Sequence, residues 1–318
     1  MRRTPLVNRR EFVALAAAAP FAARSLVAAA ANAPSALVTC DAEARLAIVD
    51  LGSFRVVRSI KTLPDPRAVE LVGDRAVVCH TAVGPLSIVD HTGVRHVVHG
   101  LEEPRYTAAH PDGVHAFVTD SGRSGVVALD VTNGKLLGRA ALPGWARHLS
   151  IDAAGKTLWV GLGSASAEVA VVDVSDPARP RHVHTVKPPY LAHDVGFAPD
   201  GRVWVTSGEQ HESGIFRAGR ALVSTLPADL APQHVTFGNG LAYVTSGDSG
   251  LLRVHTLAGR VIRTTPIPAG SYNVQWGFNR VLTSSLERGT LTVLDRRGAL
   301  LARVQVAGSC HDACFLPV

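Results

Sequence analysis

The stretch HDVGFAPDGRVWVTS, residues 193–207, decides the fold of this chain. Apolar residues alternate on both sides of the Pro-Asp-Gly at 199–201, which predicts two short strands joined by a tight turn. Similar stretches recur at 105–120 (RYTAAHPDGVHAFVTD), 147–162 (RHLSIDAAGKTLWVGL) and 233–246 (QHVTFGNGLAYVTS). This recurrence predicts a repeat architecture.

Each repeat is long enough for four strands. The units begin at intervals of 38 to 46 residues, with the polar residues Arg67, Arg105, Arg147, His193, Gln233, Tyr272 and His311. Apolar third strands end in aspartate, at Asp50, Asp90, Asp130, Asp173 and Asp295. A period near 40 with four short strands is that of a β-propeller blade, and no helical periodicity follows the first 33 residues.

The two ends of the chain supply the last blade. HDACFLPV, residues 311–318, is a first strand without a second, whereas ALVTC, residues 36–40, is a second strand without a first. Joined together they complete one blade. The prediction is an all-β fold, a seven-bladed β-propeller over residues 34–318 that is closed by pairing of the N-terminal and C-terminal strands.

Residues 36–318 resemble the YncE-like, YVTN-repeat seven-bladed propellers. The resemblance lies in the second strands FVTD, WVTS and YVTS and in the third strands that end in IVD. It implies the same architecture. This fold serves hydrolases, lyases, electron-transfer platforms and inert scaffolds alike, so any activity has to be inferred from the residues of the site.

Residues 1–33 are similar to a twin-arginine export signal. NRREF at 8–12 precedes an alanine-rich apolar run, with Asn8 where serine or threonine is usual. A membrane anchor or a buried helix is the alternative, but Pro20 and Arg24 interrupt the apolar run well before the roughly 20 residues that a spanning helix needs. The prediction is export to the periplasm or the exterior, with cleavage of the signal left open and no transmembrane segment in the mature chain.

The charge of the chain resides mostly in this leader. The whole sequence has a formal charge of +6 and a pI near 9.5. Five arginines against one glutamate in residues 1–33 supply +4 of it, which leaves about +2 for the mature protein. Such a weak charge disfavours a nucleic-acid partner.

The four cysteines are Cys40, Cys79, Cys310 and Cys314. In the closing blade, Cys310 falls opposite the end of the strand that contains Cys40. Two states are compatible with the sequence: a Cys40–Cys310 disulfide that locks the ring, or four buried free thiols.

The first strand of each propeller blade lines the central channel, so the residues that begin the repeats meet at its mouth. Together with Tyr106, the seven first residues named above are the predicted ligand contacts. Arg67, Arg105 and Arg147 are expected either to bind a carboxylate or phosphate or to pair with carboxylates of neighbouring blades.

The next residue of each repeat gives a second level in the channel. An arc of candidate metal ligands comes from five consecutive blades: His148, Asp194, His234, Asn273 and Asp312. These side chains suit a divalent metal ion, and the gluconolactonase/regucalcin propellers, which are similar in this respect only, hold a metal at a comparable level. The alternative is a water-filled channel with hydrogen-bonded polar walls.

The loop at 207–212 carries the densest ionisable groups of the rim. Glu209 and His211 are candidates for an acid/base pair, with His193 as a third catalytic candidate, and the loop is similar to that of virginiamycin B lyase in its Glu and His. A solvated hairpin loop is the alternative. Comparable rim loops carry His80, Asp120, Asp248 and Glu287.

Three functions remain open on these residues. The first is an exported monomer that binds a small acidic or polar ligand, or a protein partner, at the channel mouth. The second is a metal-dependent, lactonase-like hydrolase or a lyase. The third is a transition-metal-binding protein, because four histidines are expected to face the channel.

Overall fold

The computed structural model describes residues 34–163, 167–217, 221–229 and 231–316. Within these ranges, seven four-stranded antiparallel sheets form the blades of a β-propeller, which confirms the predicted fold class. The predicted export signal, residues 1–33, lies outside them. No helix in the described ranges is long and apolar enough to cross a membrane.

The closing blade joins the two ends of the chain. It contains β1 (Ser35–Cys40), β2 (Arg45–Asp50), β3 (Arg55–Lys61) and, from the C-terminal end, β28 (Ala313–Leu316). Strand β28 pairs with β1, with Ser35 opposite Leu316 and Val38 opposite Ala313. The predicted closure of the ring is therefore present.

The other six blades follow in chain order, and each begins with its innermost strand. Blade two contains β4 (Pro66–Val72), β5 (Arg75–His80), β6 (Leu86–Asp90) and β7 (Gly93–Val98). Blade three contains β8 (Pro104–Ala109), β9 (His115–Asp120), β10 (Gly125–Asp130) and β11 (Lys135–Ala141). Blade four contains β12 (Leu149–Ile151), β13 (Thr157–Gly161), β14 (Val169–Asp173) and β15 (Arg181–Val186).

Blades five to seven complete the ring. Blade five contains β16 (Val195–Phe197), β17 (Arg202–Thr206), β18 (Glu212–Arg217) and β19 (Leu222–Pro227). Blade six contains β20 (Val235–Gly238), β21 (Leu241–Ser246), β22 (Leu251–Thr256) and β23 (Val261–Pro266). Blade seven contains β24 (Gln275–Gly277), β25 (Arg280–Ser284), β26 (Thr290–Asp295) and β27 (Leu300–Gln305). Short 3-10 turns occur at Asp41–Glu43 and Ser121–Arg123.

The tight turn after each innermost strand explains the Pro-Asp-Gly of the repeat. Gly201 has a φ of +79°, in the left-handed region that favours glycine, and the backbone N–H of Ala198 donates to the carbonyl of Arg202 across the turn at 2.8 Å. Gly113, at the same place in blade three, has a φ of +71°.

The aspartates that end the third strands stabilise the turns to the fourth strands. In each case one carboxylate oxygen accepts the backbone N–H two or three residues further on, as at Asp50, Asp90, Asp130, Asp173 and Asp295. Such Asx turns satisfy backbone donors that the sheet leaves free. The recurrent IVD is therefore a turn signal.

The threonine of each VT second strand fastens one blade to the next. Thr206 Oγ1 donates to the carbonyl of Gln233 at 2.7 Å and accepts the backbone N–H of Asp194 at 3.0 Å. Equivalent bonds run from threonines to the first channel residue of the following blade, from Thr39 to Arg67, Thr119 to Arg147 and Thr245 to Tyr272. These bonds place the first residue of each of these repeats at the channel mouth.

Replacing Thr206 by valine is expected to lower the free energy of unfolding by about 1–3 kcal/mol, because two buried backbone groups lose their partner while the shape is kept. Urea denaturation measures the effect. Thr225→Val, at an exposed position on the outer strand of the same blade, is the matched control and is expected to change it by less than about 0.5 kcal/mol. Equal effects at both positions would contradict this role for Thr206.

The core lies between blades rather than inside one sheet. Trp159 of blade four is fully buried and packs in one cluster with Val195, Val203 and Phe216 of blade five. The second strands are buried on both faces because each lies between two neighbouring sheets.

The four cysteines are buried, and the structure shows no disulfide among them. The thiols of Cys40 and Cys310 share a hydrogen bond, which lowers the pKa of Cys40. The predicted proximity of these two residues is therefore present. The disulfide itself stays a prediction.

Candidate functional site

The central channel contains a cavity of about 270 Å³ to which all seven blades contribute. The predicted second-level residues form part of its wall: Tyr106, His148, Asp194, His234, Asn273 and Asp312. Tyr106 lies within β8, and the other five residues lie just before the innermost strands of their blades.

Three histidines from consecutive blades converge at one side of this channel. His148, His193 and His234 each have a ring nitrogen within 4.8 Å of those of the other two. The ring centroid of His148 lies 4.7 Å from that of His193 and 4.2 Å from that of His234. His193, predicted as a ligand-binding and catalytic candidate, thus joins two of the predicted metal ligands.

The Nδ1 atoms of His148 and His234 each have a polar partner. His148 Nδ1 donates to the carbonyl of His193 at 2.9 Å, so its Nε2 carries a lone pair. This Nε2 is buried and has no hydrogen-bond partner in the described part of the chain. His234 Nδ1 lies 3.5 Å from Asp194 Oδ2.

Burial keeps these imidazoles neutral. It lowers the pKa of each of the three histidines well below its usual value, and the neighbouring histidines and Arg147 lower that of His148 further. Neutral imidazole is the form that binds a metal ion.

Gly208 supports the ring of His193 from the rim. A Cβ at Gly208 would lie 2.4 Å from His193 Nδ1, and its φ of +72° also favours glycine. The loop 207–212 therefore approaches the histidine cluster through its backbone.

The two predicted carboxylate ligands also hold blades together. Asp194 accepts the backbone N–H of its own successor at 2.8 Å and that of Val235 in the next blade at 2.9 Å. Asp312 makes the same pair of bonds, to its successor at 2.8 Å and to Val69 at 3.0 Å. Burial raises their pKa values to about 7 and about 8, against the effect of these N–H bonds.

Asn273 contacts His311 instead of the three histidines. Its Nδ2 donates to the carbonyl of His311 at 2.8 Å, whereas its Oδ1 is buried without a partner among the described residues. Burial, followed by the charges of Arg67, Arg147 and Arg105, lowers the pKa of His311 to about 3.

The three arginines of the mouth differ in their partners. Arg105 forms an ion pair with Glu103 and stacks 4.4 Å from the ring centroid of Trp145. Arg67 has only a distant ion pair, with 3.9 Å between its Nη1 and Asp65 Oδ1. Arg147 lies 5.7 Å from the Trp145 centroid, and no carboxylate in the described ranges pairs with it.

Polar residues on another side of the mouth form their own network. Asp248 accepts hydrogen bonds from Tyr272 Oη at 3.0 Å and from Gln233 Nε2 at 3.4 Å. Gln233 Oε1 accepts the backbone N–H of Gly247 at 2.8 Å.

The other rim candidates are not brought to the histidines. Glu209 and His211 are exposed, and neither shares a hydrogen bond with the other or with the cluster in the part that the structure describes. His80 Nε2 shares a hydrogen bond with Ser87 at 2.8 Å, and Asp120 pairs with Arg139 at 2.9 Å.

Two features of the channel were not predicted from the sequence. Glu70 accepts a hydrogen bond from Gln275 at 2.8 Å deeper in the cavity, and burial raises its pKa to about 7. Both residues stand three places after the first residue of their repeat, and their polarity on an inner strand was a usable signal. The second feature is Trp145, whose ring lies beside two of the arginines.

A second histidine group lies beyond the far end of β8. His110 and His115 each bond to the same oxygen of Asp112, at 2.9 and 2.6 Å. The Nδ1 atoms of both histidines thus have a polar partner, and His110 Nε2 bonds to the carbonyl of Gly155 at 3.1 Å, in contrast to Nε2 of His148.

No family model matches the sequence, and no curated protein matches it either. The structure is similar to that of a functionally unknown protein from Desulfotomaculum acetoxidans DSM 771, with a TM-score of 0.76 at 13% identity over 88% of this chain and 98% of that one. It is also similar to Kuenenia stuttgartiensis hydrazine synthase, with a TM-score of 0.65 at 14% identity over 80% and 90%. A streptogramin B lyase is similar as well, with a TM-score of 0.65 at 14% identity over 76% of this chain and 83% of that one.

These likenesses establish the propeller fold alone, since the identities are only 13–14%. Membership of the YncE-like group stays a sequence-based prediction.

Proposed function

We propose that this protein binds a transition-metal ion at the channel mouth, on the imidazoles of His148, His193 and His234. The observation that carries the proposal is His148 Nε2, a buried acceptor without a partner among the described residues, beside two further neutral imidazoles. A buried polar atom left unsatisfied costs about 1–3 kcal/mol, and a metal ion would satisfy it.

The second contacts of two histidines support the same assignment. Metal-binding histidines usually donate their other N–H to a backbone carbonyl or a carboxylate, which orients the ring. His148 has such a carbonyl at 2.9 Å and His234 such a carboxylate at 3.5 Å.

The ligand set favours borderline metals. Three imidazoles suit zinc, copper, nickel or cobalt, whereas calcium and magnesium prefer oxygen ligands. The oxygens of Asp194 and Asp312 already accept backbone N–H bonds. The proposed ligand set therefore keeps His148 and His234 of the arc predicted from the sequence and adds His193. It leaves out Asp194, Asn273 and Asp312.

A metal-dependent hydrolase or lyase is the second candidate. Three protein ligands leave coordination positions for substrate and water, as in catalytic zinc sites, and the ion would supply Lewis acidity. Glu70, with a pKa raised to about 7, adds a carboxyl that exchanges protons near neutral pH. Export by the twin-arginine route, a location outside the cytoplasm and a monomeric state remain part of the proposal from the sequence.

Metal loading tests the proposed function. Metal-free protein equilibrated with zinc or cobalt and then desalted is expected to retain one ion per chain by elemental analysis, with a rise in thermal stability. The double variant His110→Ala/His115→Ala, which removes the second histidine group, is expected to retain the same ion. Loss of the ion in that variant, or no retained ion in the unmodified protein, would refute the proposal.

A further inference from the structure

We infer that the channel mouth binds a small oxyanion, a carboxylate or a phosphate, with Arg147 as its main anchor and the proposed metal ion as its second contact. The inference names the ligand class of the same site and, for the metal contact, rests on the proposed function. It is carried by the contacts and charges around Arg147.

The guanidinium of Arg147 forms no direct ion pair in the described ranges, and Asp194 is the carboxylate that acts on it from a longer distance. The residue is half-buried, its Nε is buried without a hydrogen-bond partner, and none of the ion pairs in the described ranges includes it. Burial lowers its pKa, yet an arginine stays charged at any physiological pH. A partly buried cation with free N–H groups is expected to take an anion from solution.

The surroundings hold this guanidinium in place and add charge of the same sign. Trp145 lies beside Arg147 and Arg105, and its Nε1 donates to Glu103 at 3.4 Å, the carboxylate that also pairs with Arg105. Arg105 is thereby neutralised and fixed. Arg67 is not neutralised in this way, because its Nη1 lies 3.9 Å from Asp65 Oδ1.

Electrostatic effects show that these side chains act on one region. Burial comes first in lowering the pKa of His311, and the charges of all three arginines add to it. Burial also comes first in lowering the pKa of Arg147, where the charges of Arg105 and Arg67 add to it and those of Tyr106 and Asp194 oppose it. On the other side of the mouth, Asp248 already accepts hydrogen bonds from Gln233 and Tyr272. The mouth is therefore polarised, and the side of Arg67 and Arg147 favours an anion.

The proposed metal ion strengthens the need for a negative ligand. The three imidazoles are neutral, so they leave the charge of a dication uncompensated, and Arg147 is close enough to lower the pKa values of all three. An oxyanion supplies one oxygen for the open coordination position and others for the fork of a guanidinium. A neutral ligand would add no negative charge beside the two cations, which favours an anion at this position.

The test is titration calorimetry of the full chain with inorganic phosphate, with malonate and with the neutral malonamide, in the metal-free and the zinc-loaded protein. Phosphate or malonate is expected to bind the zinc-loaded protein, and malonamide is not; the stronger of the two anions identifies the ligand class. Arg147→Gln is expected to weaken anion binding by about 10- to 100-fold while zinc is retained.

Two further variants separate charge from geometry. Arg147→Lys keeps the charge without the planar fork and is expected to bind with intermediate affinity. Arg181→Gln, which removes an exposed arginine paired with Asp173 at the end of a third strand, is the control and is expected to bind like the unmodified protein.

The outcomes distinguish the two assignments. Zinc retention with no anion binding, or with anion binding that Arg147→Gln leaves unchanged, overturns this inference and leaves the metal site standing. Anion binding that depends on Arg147 in a protein that retains no zinc supports the anion site and overturns the proposed metal function.

Discussion

Replacing His148 by asparagine is expected to lower the affinity for zinc or cobalt by about 100-fold or more, because one of three nitrogen ligands is lost. Asparagine is the informative choice because its amide nitrogen can take the place of Nδ1 as donor to the carbonyl of His193. The variant thus removes Nε2 and keeps the local hydrogen bond. Competition with a chromophoric chelator measures the change.

The matched control is His110→Asn. His110 belongs to the group in which both histidines bond to Asp112, and its replacement is expected to leave the metal affinity within about threefold of the unmodified value. Equal losses in the two variants, or an unchanged affinity in His148→Asn, would show that the ion is not held by the channel histidines.

The side chain of Phe315 packs where the two ends of the chain close the ring. Phe315 lies in β28 opposite Ala36 and is 6% exposed in the core cluster that joins the closing blade to blade seven. Replacing it by alanine is expected to lower the free energy of unfolding by about 3–5 kcal/mol, because the side chain leaves a cavity at the strand that closes the propeller. Urea denaturation measures this loss.

Phe278 provides the same substitution at the surface. Its side chain is 54% exposed and its ring centroid lies 5.7 Å from that of Phe315. Phe278→Ala is expected to cost less than about 1 kcal/mol. A Phe315→Ala variant as stable as Phe278→Ala would mean that pairing of the two chain ends does not support the fold.

The fold was predictable because every repeat carries the same local signals. The alternation around Pro199-Asp200-Gly201 gave two strands and a turn, and Asp173 and its equivalents marked the next turn. Closure followed from a first strand and a second strand that lacked partners. The role of Thr206 was not predictable, since its hydrogen bond reaches a different blade and depends on how two sheets pack.

The sequence predicted the level of each site residue along the channel, but it did not predict which side chains contact one another. Register placed His148 and His234 at one level and His193 one residue earlier, so a shared cluster of the three depended on side-chain directions that spacing does not give. Asp194 faces the same channel, yet its oxygens bond to backbone N–H groups of two blades. Trp145 lies just before the repeat begins, where no periodicity distinguished it.

X-ray absorption spectroscopy of the zinc-loaded protein shows directly whether the three channel histidines hold the ion. We expect a first shell of nitrogen at about 2.0–2.1 Å with the outer-shell scattering of three imidazoles, reduced to two in His148→Asn. A first shell of oxygen alone, or a spectrum with three imidazoles that His148→Asn leaves unchanged, would contradict it.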